Sequence, residues 1–368
     1  MKRTTRYLIS VGFLAAIALP PLSILAPVSV TEIENRRIEI PNVTTRRLLD
    51  PELYKEIFVY VRDANPIRAS LIRVGATIDL NVFDDSPDPS RVFKGRDDWL
   101  FFRRTVTEGC STPPNVVVSN IEDFVDDLES DIQVVVFTVA PSKFSIHPDK
   151  LNDAQFALTE CARINSEHLE TQLEVASLKH YVNGWEIMRR LKREGIEPYF
   201  RTDTHFNYEA SIPWMNALID EIDPIWDDSA VHELGVTEFQ GNLMSFLGLV
   251  DPEPTRHVVV DRQVPPEPSA TRFNGNLRRY DFTQHTDVDL IRGEAVIIGD
   301  SFMDLPEPSL VQYFESVIVI DWRDTEAVAW FLNNADDFKI VLIEVSEMDV
   351  WNLFADQDLL QRYRTSSS

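Results

Sequence analysis

Short runs of consecutive apolar residues constrain the fold of this chain more than any other feature. One run covers residues 134–139, and another covers residues 296–298. From Glu294 onward, such runs alternate with segments of helical spacing. A strand without polar alternation is buried on both faces, which is typical of parallel sheets. Strands that alternate with helices along a chain favour parallel pairing with right-handed crossovers. The sequence therefore predicts an α/β fold with a mostly parallel sheet.

The second of these runs ends in Gly299-Asp300-Ser301. A glycine permits a tight turn, and a residue that follows a buried parallel strand lies at the carboxyl edge of the sheet, where sites form in α/β proteins. We expect a helix to follow, at residues 308–314, with its first amides pointing towards the serine oxygen. On this interpretation Ser301 is a candidate nucleophile.

Asp203 and His205 are the candidate partners of Ser301, and they lie well before it in the chain. Side chains two positions apart share a face on a strand and can converge on a turn. Asp203 would accept a hydrogen bond from His205 Nδ1, which leaves Nε2 free to take the Ser301 proton. The Ser301 amide would be one oxyanion donor, and Asn242 or the loop at Ser142 would supply another. Each motif alone is weak, but the two together predict a Ser-His-Asp triad.

Charge and ligand spacing exclude two other classes of function. The chain has 368 residues and a formal net charge of −25, which argues against DNA or RNA as a partner because phosphate binding needs clustered Lys and Arg. A metal-dependent hydrolase built on Asp203, His205 and Asp300 would have few ligands without the spacing typical of metal sites. We therefore expect neither a metal nor another cofactor.

The first thirty residues have the pattern of an export signal. Lys2, Arg3 and Arg6 precede an apolar run of residues 7–30, as in a secretory signal or a signal anchor. The run is long enough to cross about 30 Å of hydrocarbon at about 1.5 Å per residue. Ala26 is followed by Pro27, a poor residue after a cleavage site, which favours an uncleaved anchor. We expect residues 1–30 to be the anchor or signal and residues 31–368 to be one exported domain.

Cys110 and Cys161 are the only cysteines in the chain. An even pair in an exported protein favours a disulfide, because such compartments are oxidising. Two unpaired thiols are the alternative. We expect the two residues to be joined.

The two candidate motifs also resemble a known family. Gly299-Asp300-Ser301-Phe302 preceded by Asp203-Thr204-His205-Phe206 resembles the SGNH hydrolase-like superfamily in a rearranged order, the order of the alginate O-acetyltransferase family of the AlgJ and AlgX type. Further similar stretches are Glu34-Asn35-Arg36, Phe93-Lys94-Gly95 to Trp99-Leu100-Phe101, Pro141-Ser142-Lys143 and residues 241–249. One departure is Phe206, which stands where many members have tryptophan. The resemblance implies a three-layer α/β/α sandwich with a mostly parallel sheet.

The resemblance further implies an enzyme that transfers acetyl groups onto hydroxyls of an exopolysaccharide. The acidic net charge favours a neutral polysaccharide over alginate itself as that polymer. Ser301 would be the nucleophile, His205 the base and Asp203 the residue that orients the base. The implied partners are a polysaccharide acceptor, a membrane-embedded O-acyltransferase as acetyl donor, and the inner membrane through the N-terminus, with the domain in the periplasm. Two alternatives stay open: a carbohydrate esterase with the same triad, and a non-catalytic polysaccharide-assembly protein.

Overall fold

The computed structural model describes residues 41–63, 66–265, 267–285 and 287–355. These residues form two compact units, one of residues 41–94 with Asn242–Asp251, the other of Gly95–Gly241 with residues 252–355. The predicted anchor, residues 1–30, lies outside the described residues, and the assignment of residues 31–368 to one domain stays a prediction. Within the described ranges no helix has the length and apolar character needed to cross a bilayer.

The elements are numbered in chain order. The strands are β1 (Val92–Lys94), β2 (Leu100–Phe102), β3 (Val134–Ala140), β4 (His180–Val182), β5 (Val231–Phe239), β6 (Glu253–Val260), β7 (Ala270–Arg272), β8 (Leu277–Asp281), β9 (Ile291–Gly299), β10 (Phe314–Asp321) and β11 (Ile340–Ser346). The α-helices are α1 (Pro51–Asp63), α2 (Pro66–Val82), α3 (Arg103–Glu108), α4 (Pro114–Glu129), α5 (Lys143–Ile146), α6 (Asp153–Leu158), α7 (Glu160–Val175), α8 (Gly184–Arg193), α9 (Tyr208–Ile222), α10 (Asn242–Phe246), α11 (Glu307–Leu310), α12 (Thr325–Leu332) and α13 (Glu347–Leu353).

The larger unit contains a seven-stranded sheet with the order β4-β3-β11-β9-β10-β8-β7. The pairs from β4 to β10 are parallel, and β8 and β7 are antiparallel additions at one edge. The predicted α/β fold with a mostly parallel sheet is confirmed. In the register, Ile298 pairs with Ile343 and Gly299 with Asp321. The carboxyl end of β9 therefore lies between the carboxyl ends of β10 and β11.

Burial explains why the central strands are apolar throughout. Every residue of β11 is buried, and β3 is buried from Val135 to Ala140. Because successive side chains on a strand point to opposite faces, the sheet is covered on both sides. Helices α4, α8 and α9 pack on β3, α12 packs on β10 and α13 packs on β11. This is the three-layer arrangement that the resemblance implies.

A disulfide joins Cys110, just after α3, to Cys161 in α7, with 6.0 Å between the Cα atoms. Helices α3 and α7 also contact each other, and Asn165 Nδ2 donates a hydrogen bond to the Gly109 carbonyl at 2.9 Å. The bond crosslinks residues 51 positions apart, which restricts the unfolded chain.

Two cationic side chains connect elements of the smaller unit. Lys94 Nζ donates to the Leu80 carbonyl at 2.8 Å and to Asp84 Oδ1 at 2.6 Å. The Arg91 guanidinium lies 4.7 Å from the ring centroid of Phe246. These contacts connect α2, the segment at β1 and α10.

Candidate active site

Ser301 lies on a turn at the carboxyl end of β9. Its carbonyl accepts from the Asp304 amide at 3.3 Å, and the next helix, α11, begins only at Glu307. The helix predicted at residues 308–314 is therefore found, but the residues directly after Ser301 form turns rather than its first helical turn.

The Asp300 side chain fixes this turn to the end of β11. Asp300 Oδ1 accepts from the Phe302 amide at 2.9 Å, and Oδ2 accepts from the Ser346 amide at 2.8 Å. The Asp300 amide in turn donates to Glu344 Oε2 at 2.9 Å. The backbone on both sides of Ser301 is thereby positioned by β11.

Glu344 is a carboxyl group that is fully buried under the turn. Burial raises the pKa of Glu344 well above its ordinary value, and the nearby Asp300 charge raises it further. A Cβ atom on Gly299 would lie 2.3 Å from Met303 Cγ and 2.9 Å from Glu344 Oε2, so any other residue here would displace these side chains. Glu344 was not predicted as a site residue. The signal in the sequence is an acidic residue inside the apolar run of residues 340–345.

Asp203 and His205 lie on a loop that is closed at its base. Tyr199 and Phe206 form an isolated antiparallel bridge. The Asn207 amide donates to the Pro198 carbonyl at 2.9 Å, while its side chain caps α9. The loop between these contacts is therefore held in place at both ends.

The structure brings Ser301, His205 and Asp203 together in one chain of hydrogen bonds. Ser301 Oγ lies 2.9 Å from His205 Nε2, and His205 Nδ1 lies 2.6 Å from Asp203 Oδ1. The same Asp203 oxygen accepts from the His205 amide at 2.9 Å, and only 3% of Asp203 is exposed. With the Nδ1 proton donated to Asp203, Nε2 is left to accept the Ser301 proton.

The charge state of His205 depends on opposing effects. Burial lowers the pKa of His205, but the hydrogen bond and charge of Asp203, together with the charges of Asp300 and Asp304, outweigh it and raise the pKa above its ordinary value. The ring also packs edge-on against Phe302, with 4.7 Å between centroids. The site therefore stabilises the imidazolium that a proton transfer from Ser301 would create.

The three candidate oxyanion donors, at Ser301, Ser142 and Asn242, have different outcomes. The Ser301 amide donates no hydrogen bond to any residue in the described ranges, so it is available to a ligand. The Ser142 amide donates to Glu347 Oε2 at 2.7 Å, so the alternative at Ser142 is wrong for this amide. Asn242 is the first residue of α10 in the smaller unit, and its role as a donor stays a prediction.

No metal site is formed by the part of the chain that the structure describes, because no three His, Cys, Asp or Glu side chains come together in a suitable group. The hydrogen bond between Ser301 and His205 is the arrangement of a nucleophile and its base.

Residues 92–277 match the family of SGNH hydrolase-like domains described as acetyltransferase AlgX, which is half of the chain. The chain belongs to this family. The resemblance seen in the sequence is confirmed, and the chain is an SGNH-type acetyltransferase. The match includes Asp203 and His205 and ends before Ser301, so the assignment of the serine depends on the hydrogen bond to His205.

Three solved structures are similar to this chain. PatB1 of Bacillus cereus with a sulfonyl adduct has 14% identity over 72% of this chain and 96% of that chain, with a TM-score of 0.52. The O-acetyltransferase domain of Pseudomonas putida AlgJ has 16% identity over 75% and 99%, with a TM-score of 0.46. AlgX of Pseudomonas aeruginosa has 12% identity over 71% and 66%, with a TM-score of 0.44. At such identities the PatB1 likeness shows the fold alone, and a comparison with curated proteins found no match.

A cavity of about 480 Å³ borders the loop that carries Asp203 and His205. Its lining includes cations, carboxylates and aromatic rings, among them Trp99, Lys150, Tyr199, Arg201, Glu253 and Arg256. Glu253 Oε1 accepts from the Thr202 amide at 2.8 Å, so the wall of the cavity is bonded directly to this loop.

Gly241→Ala is expected to lower kcat by about a hundredfold, because small displacements of catalytic groups have effects of this size. A Cβ atom on Gly241 would lie 2.2 Å from the Thr202 carbonyl oxygen, which is backbone and has to move with its loop. Rates of p-nitrophenyl acetate cleavage test this. The control is Gly75→Ala, where an added Cβ meets no heavy atom within 4 Å. Equal rates for the two variants would contradict the prediction.

Proposed function

We propose that this protein is an O-acetyltransferase that moves acetyl groups onto hydroxyls of an exopolysaccharide through an acetyl-Ser301 intermediate. The observation that carries the proposal is the hydrogen-bond chain from Ser301 through His205 to Asp203 in an acetyltransferase-family domain. Alginate is one candidate polymer, since the family takes its description from AlgX.

In the first half-reaction Ser301 Oγ attacks the acetyl carbonyl of the donor while His205 Nε2 takes the hydroxyl proton. The negative charge that develops on the carbonyl oxygen is received by the Ser301 amide, and such a donor is worth about 10²–10³ in rate. The bond to the leaving group then breaks, and the imidazolium protonates that group. Asp203 stabilises the imidazolium throughout.

In the second half-reaction a sugar hydroxyl attacks the acetyl-Ser301 carbonyl while His205 takes the hydroxyl proton. The tetrahedral intermediate collapses, the bond to Ser301 Oγ breaks, and His205 returns its proton to that oxygen. The product is an acetylated sugar and a regenerated enzyme. All the proton transfers use one imidazole, so neither a metal nor another cofactor is required.

The acceptor sugar binds at Ser301 itself in this proposal, because the cavity beside the loop is lined by none of Ser301, His205 and Asp203. The acetyl donor in this proposal is a membrane-embedded O-acyltransferase. The basic N-terminus and the apolar run of residues 7–30 support a location in the periplasm at the inner membrane.

A carbohydrate esterase is the second candidate, because the His205 side chain is 19% exposed and water can therefore reach the base of the triad. The two functions differ only in the acceptor of the second half-reaction. A non-catalytic assembly protein is less well supported, because such a protein does not need the hydrogen-bond chain of Ser301, His205 and Asp203.

The deciding experiment follows the fate of a labelled acetyl group. The full chain is incubated with ¹⁴C-acetyl p-nitrophenyl ester and a panel of neutral and uronate-containing oligosaccharides. We expect the label to appear on an oligosaccharide, with a transferred share that rises to saturation as the acceptor concentration increases. Release as acetate alone at every acceptor concentration would identify an esterase, and no cleavage above buffer would support the assembly protein.

A further inference from the structure

Two side chains of opposite charge hold one peptide group in the loop that carries Asp203. Lys143 Nζ donates to the Arg201 carbonyl oxygen at 2.8 Å. The Thr202 N–H, at the other end of the same peptide group, donates to Glu253 Oε1 at 2.8 Å. We propose that Lys143 and Glu253 are positioning residues, which set Asp203 through this peptide group and so set the basicity of His205. The proposal deepens the proposed function and rests on it.

Lys143 has an acceptor for each proton of its ammonium group. Besides the Arg201 carbonyl, Nζ donates to the carbonyl oxygens of Leu100 at 2.8 Å and of Asp203 at 2.9 Å. Only 4% of Lys143 is exposed, and it forms no ion pair with any described residue. One buried cation therefore binds two carbonyls of the loop, and the second belongs to Asp203 itself.

Glu253, the first residue of β6, holds the N–H groups of the same segment. Its Oε1 also accepts from Thr202 Oγ1 at 2.6 Å, and Oε2 accepts from the Arg201 amide at 3.1 Å. Only 9% of Glu253 is exposed. The carboxylate thus satisfies donors that would otherwise lack partners in a buried place.

The two charges match the dipole of the peptide group between them. A carbonyl oxygen is the negative end of that dipole and the N–H the positive end, so Lys143 and Glu253 each make a charge-assisted hydrogen bond. They attract each other across the peptide group without touching. Removal of either one would leave the other charge buried and less well compensated.

The electrostatics of Lys143 support this coupling. Burial lowers the pKa of Lys143 to about 7, the charges of Asp203 and Glu253 oppose this effect, and the charge of Arg201 adds to it. His147, one turn further along the chain, has a pKa lowered to about 2, mainly by burial, and contributes no positive charge at neutral pH. Loss of the Glu253 charge would therefore favour loss of the Lys143 charge as well.

The test compares Lys143→Met, Glu253→Gln and the double variant in the full chain. We expect each single variant to lower kcat for p-nitrophenyl acetate by about a hundredfold with KM within about twofold. We also expect the His205 pKa, followed by NMR of ¹³C-labelled histidine rings, to fall towards about 6.5. The double variant should lose about tenfold less than the product of the single losses, because its members are coupled.

The matched control is Lys192→Met. Lys192 Nζ also donates to a backbone carbonyl, that of Ile146 at 2.9 Å, but its second contact is with Asp149 rather than with the loop. This variant should keep the wild-type kcat and the wild-type pKa of His205. A change in His205 as large as that in Lys143→Met would overturn the proposal.

Two further results would overturn it: a lower kcat with an unchanged His205 pKa, or losses in the double variant equal to the product of the single losses. If Lys143→Met does not fold, as judged by thermal unfolding, Glu253→Gln decides alone on kcat and on the His205 pKa. The NMR measurement needs no turnover. It therefore tests the positioning residues even if Ser301→Ala retains activity and the proposed function fails.

Discussion

Ser301→Ala is expected to lower acetyl transfer and ester cleavage by about 10⁴-fold or more, because a triad without its nucleophile keeps only binding and oxyanion stabilisation. The variant loses the hydrogen bond from Ser301 Oγ to His205 Nε2, which contributes about 1 kcal/mol to stability. It should therefore fold normally. Burst kinetics with p-nitrophenyl acetate and thermal unfolding measure the two effects separately.

The matched control for Ser301→Ala is Ser130→Ala. Ser130 Oγ donates only to the Asp127 carbonyl at an exposed position in the larger unit. This variant should retain wild-type turnover. If Ser301→Ala also keeps wild-type turnover while both proteins remain folded, another residue is the nucleophile and the proposed mechanism is wrong.

Asp203→Asn is expected to lower kcat by about 10⁴-fold, the size of effect seen when a triad aspartate loses its charge. Asp203 Oδ1 accepts from both the amide and Nδ1 of His205, and it fixes the tautomer in which Nε2 is the base. An amide at this position can present its NH₂ group to Nδ1 and so favour the opposite tautomer. The measurement is the rate of p-nitrophenyl acetate cleavage by the variant and the wild type.

The pH profile of Asp203→Asn gives an independent check. His205 is a base only when neutral, so the wild-type rate should rise with pH through a midpoint above about 6.5, since the folded site raises the pKa of His205. Without the Asp203 charge, burial lowers that pKa, and the midpoint should move to lower pH. Asp304→Asn, which removes a weaker charge effect, should move it less in the same direction. An unchanged midpoint in Asp203→Asn would contradict this account.

Local chemistry explains why so much of the site was predictable. The apolar runs that form β3 and the end of β9 are buried on both faces. A strand of this kind needs consecutive apolar residues, a pattern that is visible in the sequence. Asp203 and His205 are close in sequence, so their mutual contact depends on short-range geometry. The contact between His205 and Ser301 was expected because functional sites in parallel sheets form at the carboxyl ends of the strands, where Ser301 lies.

What could not be predicted depends on contacts between distant parts of the chain. Glu253 lies near the start of a proline-rich stretch, residues 251–268, and nothing in that sequence indicates that its carboxylate binds the Thr202 amide. Lys143 has the sequence context of a loop lysine, yet its ammonium group is buried on backbone carbonyls that come from β2 and from the loop. No periodicity encodes such pairings, because each partner contributes only one residue.

The order of the strands also determines when this enzyme becomes active during its biosynthesis. β11 is the last strand among the residues that the structure describes, yet it lies between β3, which is made early, and β9, which carries the serine turn. The Ser346 amide at its end also binds Asp300. A nascent or truncated chain without β11 has a gap in the middle of its sheet, and pairing over so long a separation forms late in folding. Acetyltransferase activity should therefore appear only after synthesis has passed β11, and chains terminated before β11 would carry Ser301 without the strand that positions its turn.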